Sequence, residues 1–249
     1  MYMEKFFNTA GPIQQDIHYC VDPLSRIELD EIEMLFMQRK YFVLHAPRQT
    51  GKTSTLLALR DYLNKQGRYI CVYANVEGGQ AARNDVESVV ATVCTAIASR
   101  TDTVRGNREA TELYRSYKDL DANSRLTEFL KGLTGMLAKP LVLFLDEIDA
   151  LVGDSLVSVL RQLRAGYDQR PEAFPQSIVL CGIRDVRDYR IVLSNQDIIT
   201  GGYSEGYHAR TLAIHGNHNF PLYIFHSPLS TLPIIRRNFN RRGGIRLEV

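Results

Sequence analysis

The stretch Ala46-Pro47-Arg48-Gln49-Thr50-Gly51-Lys52-Thr53 lies between two segments whose apolar residues follow different spacings. The apolar run Tyr41–His45 before it predicts a short buried strand. After it, leucines at helical spacing predict a helix from Lys52 to about Asn64. The loop ends as G-x-x-x-x-G-K-[ST] does, and a position between a strand and a helix is the context that a phosphate-binding P-loop requires.

Each part of this loop has a physical reason to bind an anion. Backbone N–H groups of the loop and of the following helix N-terminus point at phosphate oxygens, and Gly51 lets the backbone approach them closely. Lys52 supplies a positive charge, and the Thr53 hydroxyl can bind Mg²⁺. Ala46 replaces the first glycine of the pattern, but its methyl group is small, so we expect binding to survive. The residues expected to bind the nucleotide are Ala46, Pro47, Arg48, Gln49, Thr50, Gly51, Lys52, Thr53 and Ser54.

A second pattern supports the first. The apolar run Leu141–Leu145 leads directly into Asp146-Glu147-Ile148-Asp149, as in a Walker B motif. We expect Asp146 to hold the hydration shell of Mg²⁺ and Glu147 to orient and polarise the attacking water. Two interpretations of Asp149 are open, a residue at a helix start and a direct catalytic role.

A third pattern follows the predicted strand Ser177–Cys181, which ends in Gly182-Ile183-Arg184-Asp185. The end of this strand should lie between the P-loop and Walker B strands, where Arg184 could sense the γ-phosphate and complete the catalytic set with Lys52 and Glu147. The alternative for Arg184 is a surface ion pair with a nearby aspartate. On a predicted helix, Arg161 and Arg164 could act in trans, although a solvated helix face is the simpler interpretation.

Strands and helices alternate along the chain, which predicts an α/β fold with a mainly parallel sheet and helices on both faces. Residues 1–40 are interpreted as a lead-in with one helix, 41–202 as the core, and 203–249 as a tail. Residues 101–122 are polar and charged and predict a loop with a short helix or a surface insertion. The predicted helix N-caps are Asp85, Ser124 and Asp154.

Together these motifs resemble the additional-strand P-loop ATPases, the AAA+ and STAND branch, in which Arg184 would correspond to the sensor arginine of STAND-type NTPases. Four longer stretches are similar to a family of largely uncharacterised bacterial AAA-like ATPases, namely Phe6–Pro12, His45–Thr53, Asp146–Asp154 and Gly182–Arg190. The similarity covers about residues 5–202 and includes Ala46, which is then a family trait. It implies ATP and Mg²⁺ as cofactors, ATP hydrolysis to ADP and phosphate, and the strand order 5-1-4-3-2.

The composition argues against a membrane-spanning protein, a secreted protein and a core that binds nucleic acid. No apolar run reaches the roughly 18–20 residues of a membrane span, and residues 1–11 lack the apolar region of a signal peptide. Four scattered cysteines without a C-x-x-C pair favour a reducing cytosol, so we expect a cytoplasmic protein. Residues 1–202 carry 24 basic and 26 acidic side chains, which does not indicate nucleic-acid binding by the core.

The tail has a different composition. Residues 203–249 contain 6 Arg, 2 Glu and four of the six His, and the 42 residues between Glu205 and Glu248 contain no acid. Three interpretations are open: a translated frameshift, a divergent but real C-terminal segment, and a basic, His-rich binding tail.

The resemblance also raises a structural question about the tail. In the family, the stretch corresponding to Asp197–Gly202 is followed by a further strand and a helical lid. Without that strand, residues 41–45 would form an exposed apolar edge, and the chain would be less stable or less active than a relative with a full lid. Residues 211–214 or 220–225 could substitute, although Pro221 limits the second segment to an edge role.

The function predicted from the sequence is Mg²⁺-dependent ATP hydrolysis. The alternatives are a nucleotide-gated interaction switch, a DNA-associated AAA+ loader or transposition partner, and an inactive remnant. A protein partner and self-association both stay open. The sequence lacks a guanine-specific N-K-x-D motif, which favours ATP over GTP.

Overall fold

A computed structural model describes residues 5–8, 16–46, 50–182, 223–226, 236–239 and 245–248. Its strands are β1 Phe42–His45, β2 Ile70–Asn75, β3 Leu141–Asp146, β4 Ser177–Gly182, β5 Tyr223–His226, β6 Arg236–Phe239 and β7 Ile245–Glu248. Its α-helices are α1 Leu29–Met37, α2 Lys52–Gln66, α3 Val86–Arg105, α4 Glu109–Tyr117, α5 Ala122–Gly135 and α6 Gly153–Ala165. Short 3₁₀ helices span Pro23–Arg26, Glu77–Ala82, Ile148–Ala150 and Tyr167–Gln169.

The main sheet has the order β2-β3-β4-β1-β5, in which the first four strands are parallel. This confirms the predicted α/β class and, read from the other edge, the predicted order of these four strands. The fifth strand, β5, pairs antiparallel with β1, with Val43 opposite Phe225. It lies at the sheet edge, overlaps the segment 220–225 considered as a substitute strand, and covers β1.

Strands β6 and β7 form a separate antiparallel pair. The alternative substitute at residues 211–214, and the stretch Asp197–Gly202, lie outside the described residues. The boundary at residue 202 and the three interpretations of the tail stay predictions.

The sheet separates two apolar clusters, as expected for helices on both faces. All six residues of β3 are buried, because the strand is covered on both sides. Val142 and Phe144 face the cluster formed with α1 and α2, whereas Leu141, Leu143 and Leu145 face the cluster formed with α3, α5 and α6. Among the described residues, no helix is both long enough and apolar enough to cross a membrane.

The prediction of a short helix within residues 101–122 is confirmed by α4, but the prediction of a loop was wrong for the first residues of this range. Helix α3 continues to Arg105, and α4 follows after a short turn. The reason is the nearly buried side chain of Asp102, whose carboxylate accepts the backbone N–H groups of Ala110 at 2.8 Å and Thr111 at 3.1 Å. These bonds satisfy donors in the first turn of α4, which the apolar periodicity alone does not reveal.

Of the three predicted N-caps, one is confirmed and two were wrong. Asp85 caps α3 through a bond from Ser88 N. Helix α5 is capped by Asp121, which comes three residues before Ser124. Helix α6 begins at Gly153, and its first N–H groups are capped from another part of the chain, because Asn84 Oδ1 accepts Asp154 N at 2.6 Å.

Candidate functional site

The predicted phosphate-binding loop joins β1 to α2. Pro47, Arg48 and Gln49 lie outside the described residues. Gly51 has φ +80°, a left-handed conformation that favours glycine, and it forms the N-cap of α2. Helix α2 then begins at Lys52, so the N–H groups of its first turn point toward its N-terminal end, where the loop enters the helix. Ser54 also belongs to this first turn.

The side chain of Lys52 connects the start of α2 to Ala46, the first residue of the loop. This side chain is buried, and its Nζ donates to the carbonyl oxygen of Ala46 at 2.9 Å. Ala46 itself is fully buried and packs in the apolar cluster of α1 and α2. A small side chain at this position therefore fits the interior, which is the physical basis for the departure from glycine.

The two main motifs meet at Asp146, the last residue of β3. Asp146 is fully buried, and its Oδ2 accepts Thr53 Oγ1 at 2.8 Å. Its Oδ1 accepts the backbone N–H of Glu147 at 3.0 Å. The structure thus brings together the two residues predicted to support Mg²⁺, although they are separated by 93 positions in the sequence.

The chemistry of this pair fits the predicted cation. Mg²⁺ is a hard ion that binds oxygen ligands and retains several waters. Thr53 offers a hydroxyl and Asp146 a carboxylate, both oxygen donors, next to a helix N-terminus suited to phosphate. These residues would hold the ion together with phosphate and water oxygens.

Glu147 differs from its neighbour. Its backbone is left-handed, with φ +59°, and its side chain is only partly buried. Partial burial, followed by the adjacent Asp146 and Asp149 carboxylates, raises the pKa of Glu147 above its usual value. A carboxylate with a raised pKa is a stronger base, as a residue that activates water requires.

Asp149 lies in the 3₁₀ helix that follows Glu147. It packs against the end of β4, because a Cβ on Gly182 would lie 2.8 Å from Asp149 Oδ1. Gly182 is the last residue of β4, and Arg184 lies outside the described residues. The side chains of Arg161 and Arg164 are exposed on α6.

Three side chains at this site were not predicted from the sequence. Arg26 donates from Nη1 to the carbonyl oxygen of Thr50, and a Cβ on Gly51 would lie 2.5 Å from that nitrogen. Tyr73 donates its hydroxyl to Asp146 Oδ2 at 2.8 Å. Burial, followed by the charge of Asp146, raises the pKa of the Cys181 thiol well above its usual value.

In comparisons with known proteins, the match to a family model includes both motifs of this site. The model of the AAA domain family matches residues 35–189, which is more than half of the chain. No curated protein matches significantly. A solved structure described as Drosophila ORC bound to DNA contains a similar chain, with 11% identity and a TM-score of 0.35. That alignment covers 76% of this chain and 50% of the other, so this chain spans half of that chain's length.

Proposed function

We propose, because the chain belongs to the AAA domain family, that it binds ATP with Mg²⁺ and hydrolyses it to ADP and phosphate. The observation that carries this proposal is the hydrogen bond of 2.8 Å from Thr53 Oγ1 to Asp146 Oδ2. It joins the end of the P-loop to the end of the Walker B strand, the two parts that P-loop ATPases use to hold a nucleotide and its cation.

Binding depends on the first turn of α2 and on Lys52. The N–H groups of this turn carry the positive end of the helix dipole, which favours the phosphates. Lys52 Nζ is held beside the first residue of the loop by its bond to Ala46 O. It exchanges that carbonyl for phosphate oxygens when the nucleotide binds.

Hydrolysis depends on Glu147. Its carboxylate accepts a proton from a water molecule while the water oxygen forms a bond to the γ-phosphorus, and the bond from that phosphorus to the β,γ-bridging oxygen breaks. Thr53 and Asp146 hold the cation, which neutralises charge on the phosphates when bound. Arg184 after β4 completes the proposal as a sensor of the γ-phosphate.

The direct test compares two lysines of the same helix. We expect the wild-type protein to bind ATP and release phosphate in the presence of Mg²⁺, and Lys52→Ala to lose both activities. Lys65, which is exposed in the last turn of α2, provides the matched control, so Lys65→Ala should behave as wild type. Wild-type protein without nucleotide binding, or equal binding by both variants, would contradict the proposal.

The nucleotide-gated switch differs from an ATPase in its output. It predicts that the oligomer size changes between the ATP-bound and ADP-bound states while turnover stays low. Light scattering of the Glu147→Gln variant with ATP and of wild type with ADP separates the two functions. Equal sizes in both states, with substantial turnover by wild type, favour the simple ATPase.

A further inference from the structure

Tyr73 lies in β2, one strand away from the Walker B strand. In the parallel pairing of β2 and β3, Tyr73 is opposite Phe144 and Asn75 is opposite Asp146. Side chains alternate along a strand, so Tyr73 shares a face with Phe144 and Asp146. This is the face covered by α1 and α2, and α2 also carries Thr53.

The Tyr73 hydroxyl and the Thr53 hydroxyl share one acceptor. Both donate to Asp146 Oδ2, each at 2.8 Å. On the other side of the carboxylate, Oδ1 accepts the backbone N–H of Glu147. The carboxylate plane is therefore fixed at both oxygens, by donors from α2, from β2 and from the residue that follows β3, which leaves Asp146 little freedom to rotate.

Two other tyrosines of the described part donate their hydroxyls to backbone carbonyl oxygens, and a third, Tyr62, donates to the Glu33 carboxylate on the helix surface. Tyr41 donates to the carbonyl oxygen of Pro175 and Tyr114 to that of Ala91. Such bonds satisfy a hydroxyl and tie two elements together. Tyr73 is almost fully buried and directs its hydroxyl at the carboxylate that would support the cation.

We propose that Tyr73 is a positioning residue for the Mg²⁺ site. Its hydroxyl holds Asp146 in the rotamer that accepts the Thr53 hydroxyl, so that the Thr53 oxygen would keep its lone pairs available as a ligand for the cation. Groups that orient metal-supporting carboxylates change metal affinity without touching the metal. This inference rests on the proposed function, because it assigns a role within the same site.

The test uses Tyr73→Phe, which keeps the ring and removes only the hydroxyl. We expect the Mg²⁺ concentration that gives half-maximal ATP hydrolysis to rise about tenfold, with kcat recovered at saturating Mg²⁺. Nucleotide binding in EDTA should stay within about twofold of wild type, because Lys52 and the α2 N-terminus are unchanged. Electron paramagnetic resonance of Mn²⁺ bound with ADP measures the same shift without turnover.

Tyr62→Phe is the matched control. It removes a hydroxyl that donates to Glu33 Oε1 at 2.5 Å, between α2 and α1. We expect it to keep the wild-type Mg²⁺ dependence. If Tyr73→Phe does not fold, Tyr73→Met fills a similar volume without a donor and is measured in the same way.

Two results would overturn the inference. A hydroxyl-free variant with the wild-type Mg²⁺ and Mn²⁺ dependence shows that the hydroxyl does not position Asp146. An equal loss of nucleotide binding in EDTA shows that Tyr73 supports the fold of the whole site. In both cases wild type still binds Mg²⁺–nucleotide, whereas a wild-type protein that binds none contradicts the proposed function and this inference with it.

Discussion

Asp146 and Glu147 are adjacent residues at the end of β3, yet the chain treats their carboxylates in different ways. Asp146 is fully buried and accepts hydrogen bonds from Thr53, Tyr73 and the Glu147 backbone. Glu147 is partly exposed, with a left-handed backbone that turns the chain as soon as the strand ends. The difference teaches that one half of the site, the carboxylate proposed to support the cation, is held by three hydrogen bonds, whereas the other half, the carboxylate proposed to activate water, stays accessible.

The largest effect is expected from Asp146→Ala. This change removes the acceptor shared by Thr53 and Tyr73 and frees the turn that carries Glu147. We predict that ATP hydrolysis falls on the order of 10⁴-fold, because both metal support and base positioning are lost. Steady-state phosphate release measures this loss of turnover. A variant that keeps more than a tenth of wild-type turnover would show that metal support and the positioning of Glu147 do not depend on Asp146.

Glu147→Gln should separate the two halves. We predict that kcat falls about 10²- to 10³-fold, since the amide cannot accept the proton of the water. ATP binding should stay within about twofold of wild type, because Thr53, Lys52 and Asp146 are unchanged. Glu128→Gln, on the partly exposed surface of α5, is the control. A loss of ATP affinity as large as the loss of kcat would show that Glu147 contributes to ATP binding, and the functional difference between Asp146 and Glu147 would then disappear.

The pH dependence of turnover sharpens the comparison. Because the pKa of Glu147 is raised by burial and by the neighbouring carboxylates, its base form is lost as the pH falls through a value above the usual range for glutamate. We predict that kcat of wild type decreases on this acidic limb and that Glu147→Gln lacks it. Turnover that stays flat until the pH reaches the usual titration range of glutamate, while the fold is intact, would contradict this role.

The same shift has a consequence for stability. A carboxyl whose folded pKa is raised contributes stability that is present below its unfolded pKa and is lost as the pH rises through its folded pKa. Glu147→Gln should therefore gain thermal stability relative to wild type at neutral pH and lose that advantage in acid. A stability difference independent of pH would argue against the shifted pKa.

The smallest effect is expected from Arg26→Ala. Arg26 joins the lead-in to the P-loop through the Thr50 carbonyl oxygen, so its loss should loosen the loop without removing a phosphate ligand. We predict that ATP affinity decreases about three- to tenfold, the equivalent of about one ordinary hydrogen bond. Arg60→Ala, which removes a half-buried arginine of α2 that pairs with Asp61, should change the affinity little. Unchanged ATP affinity in Arg26→Ala would show that Arg26 does not contribute to ATP binding and that the contributing residues lie in α2 and β3.

The sequence could predict those strands, helices and site residues that leave a local pattern in it. Apolar runs and helical spacing predicted β1, β3, β4 and α2, and the order of the residues around Lys52 and Asp146 indicated their chemistry. The contacts of Arg26 with Thr50 and of Tyr73 with Asp146 join residues 24 and 73 positions apart. A tyrosine inside an apolar strand looks like any core residue until the neighbouring strand is placed beside it.

The errors in the helices have the same physical origin. Helix α4 depends on a cap from Asp102, and α6 on a cap from Asn84, which lies 70 positions away from the residue that it caps. Such bonds depend on how elements pack, and a single sequence does not display packing. Antiparallel β5 shows a similar limit, because an apolar segment does not reveal the direction in which it will pair.

The central claim is that Thr53 and Asp146 together hold the cation of a bound ATP. Titration calorimetry of wild type and Thr53→Val, each with ATP in Mg²⁺ and in EDTA, tests it directly, because valine keeps the shape of threonine and removes only the hydroxyl. We predict saturable one-to-one binding by wild type that is tighter in Mg²⁺, and binding by Thr53→Val that Mg²⁺ does not strengthen. Wild type without saturable binding, or equal strengthening by Mg²⁺ in both proteins, would contradict the claim.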